Sequence, residues 1–310
     1  MKKIIYPIIL VGFLLYILIM PEEAVSAATL GLNLWYEKML PTLLPFSILS
    51  YILIHSGILD GFARAVHRLL KHVFPVSSVG IYPLTAGLLF GFPMGSKITA
   101  DLVTAGKMTR EEGQRLFCIC NNISPVFISS YILSDCLNRP DLQVKSCLIL
   151  YMPPLILYML QNGRRKFTTP LETPALSGKS LKKTTSMSFQ IIDAGIMNGF
   201  ETLAKLGGYI ILFAILAQMT ALLFLPHPIL KCLLIGFTEI TNGISYTAGQ
   251  NMDFRITYPL MMAYTAFGGL SGFAQTASMV KECHFSMTPY FFMKVFQTAA
   301  AFLLALLLVC

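Results

Sequence analysis

Charge is scarce in this chain: Asp, Glu, Lys and Arg together account for 12% of the 310 residues, while 55% are hydrophobic. A soluble globule of that composition would leave large apolar areas in water. Long polar stretches are missing as well, so no separate soluble domain is expected. The 5 histidines are dispersed, which argues against a metal site. The 7 cysteines contain no CxxC pair; Cys118 and Cys120 have the wrong spacing for zinc or redox chemistry and read as small buried hydrophobes. Neither HExxH nor a GxSxG elbow occurs, which removes the common protease patterns. Gly178-Lys179-Ser180 ends like a phosphate loop, but Thr173 stands where its leading glycine is required. A nucleotide-driven pump is therefore unsupported. No chemical conversion and no cofactor are expected.

What the chain does have is a series of apolar runs, a mean hydropathy of +0.68 and a net charge of +8. The basic residues gather between apolar runs, which fits retention on the cytoplasmic side better than nucleic-acid binding. One such region, residues 60–75, holds Arg64, Arg68 and Lys71; another, residues 161–185, holds Arg164, Arg165, Lys166, Lys179, Lys182 and Lys183. Glu22 and Glu23 should face outward. Lys2 and Lys3 precede an apolar run from Ile4 to Met20 that reads as a retained helix or a signal peptide ending near Val25-Ser26-Ala27; retention is expected.

Between the basic regions lie Val76–Gly95, Leu116–Leu133 and Leu142–Leu160. Three full crossings would put the second basic region on the wrong side of the membrane. The conflict disappears if the first run breaks at Gly91-Phe92-Pro93-Met94-Gly95 and turns back as a re-entrant hairpin. Irregular backbone at that depth is tolerated when it is buried in protein or lines a watery cavity. The second half reads alike, with a span at Leu206–Leu225, a hairpin at Ile229–Gly249, a broken span at Ile256–Met279 and a last span at Thr288–Val309. Sliding one half on the other pairs Gly31 with Gly195, Glu37 with Glu201, Gly87 with Gly236 and Ser124 with Ser271. Charge bias gives the halves opposite orientation. The expected fold is an all-α integral membrane protein with about seven transmembrane helices and two re-entrant hairpins in an inverted repeat. Its parts are an N-terminal helix (1–26), a first repeat (27–160), a basic cytoplasmic linker (161–185) and a second repeat (186–310). Stretches before residue 40 and before residue 206 are expected at the interface, and Pro41 and Pro45 are expected to kink the second span.

Four interruptions should then face one another. The first is Gly91, Pro93, Gly95, Ser96 and Lys97; the second is Asn121, Asn122, Ser124 and Pro125; the third is Glu239, Thr241 and Asn242; the fourth is Gly268, Gly269 and Ser271, with Gln275 a turn later. Broken helices free amides at half-helix N-termini, which suit anions, and carbonyls at C-termini, which suit cations. The competing reading is that these groups only hold helices together. Lys97 and Glu239 sit at the hairpin tips, and Lys97 is expected to attract a carboxylate.

The stretches "GFPMGSKITADLVTAGKMTREEGQRLFCICNNISPVFI", "DAGIMNGFETLAKLGGYIILFAIL", "GFTEITNGIS" and "AFGGLSGFAQTASM" resemble the YlbJ (SpoVV) family of sporulation integral membrane proteins. More distantly they resemble the Gate, or nucleoside-recognition, domains of concentrative nucleoside transporters and of the ferrous-iron transporter FeoB. The likeness covers residues 27–300. It implies a secondary carrier or facilitator of a small organic anion, dipicolinic acid moving across the outer forespore membrane. A nucleoside carrier is the alternative within that class, and a membrane scaffold docking partners on its basic linker is the rival outside it. The expected partners are the lipid bilayer and the solute, not nucleic acid; homo-oligomerisation stays open.

Overall fold

The runs interrupted at Gly91-Phe92-Pro93 and Gly268-Gly269 become pairs of short helices, whereas Pro153-Pro154 and Gly207-Gly208 lie inside single long ones. The computed structural model describes residues 2–56, 58, 76–162, 189–225 and 227–309. Most of both basic regions, 60–75 and 163–185, lies outside the described residues. The elements are α1 (Lys2–Ile19), α2 (Pro21–Asn33), a π-helical stretch (Leu34–Met39) and α3 (Leu40–His55). Next come α4 (Ile81–Phe90), α5 (Met94–Thr104), α6 (Arg110–Phe117) and α7 (Pro125–Phe127), the last running into a second π-helical stretch (Ile128–Cys136). Then follow α8 (Gln143–Asn162), α9 (Phe189–Ala221), α10 (Pro228–Thr238), α11 (Ile240–Ala248), α12 (Phe254–Phe267), α13 (Gly269–Met279) and α14 (Met287–Leu308). No strand occurs among the described residues.

Four helical stretches are long and apolar enough to cross a membrane: Pro21–His55, Pro140–Gln161, Phe189–Ala221 and Met287–Leu308. The shortest of these have 22 residues, about 33 Å of helix against roughly 30 Å of hydrocarbon. The expected count of seven would need the shorter, broken helices to cross in pairs. Two stretches are expected at the interface from the sequence. Residues before 40 and before 206 continue without a break into the neighbouring apolar segments, because nothing in either place stops a helix. Pro41 and Pro45 are both accommodated in α3.

The Pro21–His55 rod lies antiparallel against α9. Gly31 touches Ile210 and Ala214, whereas Ile48 and Tyr51 lie against Gly195. Small residues let the two backbones approach, the usual means of association between helices in lipid. The single tryptophan fastens the middle: Trp35 stacks on Gly207 and donates Nε1–H to the Leu203 carbonyl at 2.8 Å.

Both expected hairpins fold as helix, break and helix. In the α4–α5 pair a Cβ on Gly95 would stand 3.0 Å from the Gly87 Cα, and both glycines close over the Cys120 carbonyl. In the α10–α11 pair Gly243 lies directly on Gly236. Behind them, α12 packs along α14 around fully buried Tyr258, Met261, Tyr264 and Ala301. Leu160, Phe224 and Leu307 are among many large apolar side chains left exposed, a surface suited to lipid.

Candidate functional site

The four interruptions come together. The first presses on the second: a Cβ on Gly91 would lie 2.7 Å from the Ser124 amide nitrogen and 3.3 Å from the Asn122 carbonyl. The fourth presses on the third, with Gly269 3.4 Å from both the Ile240 nitrogen and the Thr238 carbonyl by the same measure. Across the junction, Gly272 of α13 meets the Phe92 ring. Gly268 and Gly269 end α12 with consecutive φ of +89° and +68°, a left-handed pair that a side chain would strain.

A cavity of about 700 Å³ opens beside this junction, within the usual range of small-molecule sites. Among the residues expected from sequence, Gly91, Ser124, Glu239, Thr241 and Asn242 line it. Gln275 borders a recess of about 20 Å³ that shares the Glu239 and Thr241 walls. Pro93, Gly95, Ser96, Lys97, Asn121, Asn122, Pro125, Gly268, Gly269 and Ser271 do not line the main cavity. Several of these support it from behind. Asn121 Nδ2 donates to Thr276 Oγ1 at 2.6 Å and Tyr290 Oη at 2.7 Å, Asn122 Nδ2 donates to the Ile119 carbonyl at 2.6 Å, and Gln275 donates to Ser271 Oγ at 2.9 Å.

Glu239 is the charged group inside. It is 5% exposed and caps α11, accepting from the Asn242 amide at 2.8 Å and from Thr241 Oγ1 at 3.1 Å. The amide cluster at the start of α11 is thus partly taken by the protein's own carboxylate. Ser124 likewise caps α7, accepting from the Phe127 amide at 3.2 Å, whereas α5 and α13 begin with no side-chain cap. Around the mouth stand exposed Glu37, Lys38 and Asp135.

Lys97 occupies a different place from the one its position near the break suggests. Its Nζ donates to both Asp101 oxygens, at 2.8 and 2.6 Å, within α5. Its charge is compensated a turn away from the tip, and the side chain does not line the cavity. Sequence reasoning passed over two contributors. Both π-helical stretches face the cavity, the first through Glu37, Lys38 and Met39, the second through Ser130, Tyr131 and Asp135. Such wide turns are frequent at functional sites. Tyr131 ties the second stretch to the third break, its hydroxyl donating to the Thr241 carbonyl at 2.9 Å. The other contributor is Lys294 of α14, buried among carbonyls at the back of the junction. Its signal was a lone lysine inside an apolar run.

The chain is 27% identical to the sporulation integral membrane protein YlbJ of Bacillus subtilis (strain 168), in an alignment covering 93% of this chain and 78% of the relative. That likeness supports the YlbJ family. No family model matches the chain, and no solved structure matches it. The name of the YlbJ relative is that of an integral membrane protein, and four helical stretches here are long and apolar enough to span. This chain is an integral membrane protein similar to that sporulation protein.

Proposed function

We propose that the chain is a secondary carrier or facilitator that binds a small solute in the cavity at the junction of its helix breaks. The observation that carries the reading is that three of the four interruptions line one cavity holding a buried carboxylate, while the fourth presses on the third. Glue between helices needs no such space. The Pro21–His55 rod and α9, which the sequence pairs as corresponding elements, run antiparallel, as an inverted pair must. The two glycine-closed hairpins supply matching parts in the two halves.

For the solute, the family resemblance favours a small organic anion, with dipicolinic acid the first to test. Lys38 at the cavity mouth is a group that favours an anion. One observation favours a second solute class. The lining includes Glu37, Asp135 and Glu239 against Lys38, and that balance, together with Thr241 and Asn242, suits a neutral polar solute such as a nucleoside.

Uptake into liposomes that hold the purified protein tests the proposal, with labelled dipicolinate and labelled nucleosides supplied separately. Uptake of either that falls at least tenfold in Glu239→Gln and Asn242→Ala supports the carrier and chooses its solute. Uptake indifferent to both substitutions removes the site. No uptake of any solute favours the scaffold.

A further inference from the structure

Lys294 is a charge that the cavity does not use. It lies on α14 and is 3% exposed. Its Nζ donates to the Asn121 carbonyl at 2.7 Å and to the Ala266 carbonyl at 3.3 Å. Asn121 begins the extended break ahead of α7, and Ala266 sits in the last turn of α12, just before Gly268. Two separately interrupted helical segments therefore turn a main-chain oxygen toward one positive charge. Among the described residues no carboxylate forms an ion pair with it; the Tyr290 ring centre lies 5.7 Å from Nζ.

The Ala266 carbonyl lies at the negative end of the α12 dipole and the Asn121 carbonyl in an extended break; carbonyls of broken helices are hard oxygen donors, the kind of group that holds alkali-metal ions inside membrane proteins. A second observation points the same way. Asn121 Oδ1 and both amide atoms of Gln297 are buried without a hydrogen-bond partner among the described residues. Gln297 is three residues beyond Lys294, on the same helix face. Unsatisfied amide groups thus belong to one of the breaks that hold the ammonium and to the helix face that carries it.

We propose that the Lys294 ammonium is the tethered occupant of a monovalent-cation site built from the carbonyls of these two breaks. Removing the side chain opens that site to a free sodium or potassium ion. With the lysine in place the site is filled, and no alkali-metal ion is needed there. This inference rests on α14 and the two breaks, and it holds whatever solute the cavity takes.

The test is thermal unfolding of the purified full chain in detergent, in sodium, potassium or choline chloride at equal ionic strength. The unaltered protein should melt alike in all three. Lys294→Ala should melt several degrees higher in sodium or potassium than in choline, with a saturable dependence on the ion, as for any ligand that binds only the folded state. Lys294→Met, which fills the space without charge or ligand demand, should show no such dependence. If Lys294→Ala cannot be recovered folded in choline, purification throughout in sodium or potassium chloride should recover it. Equal melting of Lys294→Ala in all three salts, failure to recover it in any of them, or the same alkali-ion shift in the unaltered protein would overturn the proposal.

Discussion

Gly95→Ala in the first hairpin should destabilise the protein, although alanine is the better helix former. A methyl on Gly95 would overlap the Cys120 carbonyl and stand 3.0 Å from the Gly87 Cα. None of these neighbours is the flexible end of a side chain. The carbonyl belongs to the strand of residues leading into the second break, where Lys294 grips Asn121 and Asn122 holds the Ile119 carbonyl. It cannot retreat without disturbing those bonds. Overpacking of this kind costs about 1–3 kcal/mol. At about 2–4 °C per kcal/mol, the melting temperature should fall by roughly 2–12 °C. Gly208→Ala in α9 is the matched control, because a methyl there meets nothing within 4 Å. It should gain about 0.5–1 kcal/mol of helix propensity and melt a little higher. Differential scanning fluorimetry of both variants beside the parent measures the contrast. If the two alanines shift melting in the same direction by similar amounts, α4 and α5 do not close over Cys120, and the first hairpin as described is wrong.

Other consequences are open to similar checks. In the double variant Lys97→Met with Asp101→Leu, solute uptake should stay near the parent level because neither residue lines the cavity, while Lys97→Met alone, which leaves Asp101 unpaired, should melt lower than the double; a lower-melting double would mean no coupling between them. Trp35→Phe should lose the bond to the Leu203 carbonyl, about 1 kcal/mol, seen as earlier thermal unfolding; an unchanged melting curve would detach the rod from α9. Because Trp35 is the single tryptophan and its neighbour Leu34 lines the cavity, solute binding should alter its emission, and silence at saturating solute would place binding elsewhere.

The breaks were legible in the sequence because glycine and proline punctuate helices by plain sterics, and Gly91-Phe92-Pro93 and Gly268-Gly269 leave few alternatives. The restart of α11 is capped by the Glu239 side chain, a residue outside the usual capping set, so this cap left no plain mark in the sequence. The Lys97 partner was readable, since Asp101 stands four residues on, the spacing of a helical ion pair. The π-helical stretches were not readable, because one extra residue per turn leaves no mark in composition. Lys294 gave only a lone charge in oil, and what it holds depends on Asn121 and Ala266, far off in the chain. Long-range placement of that kind follows from packing and not from any local pattern.

The bulged stretch at Leu34–Met39 has a consequence for register. Gly31 on one side of it and Leu44 on the other both contact α9, so the wide turns absorb surplus chain while keeping the flanking faces in phase. Trimming a residue from within the stretch should leave a straight rod that still docks on α9, yet withdraw Glu37 and Lys38 from the cavity rim. The anchor and the lining of this protein would thereby be separable by a change in chain length alone.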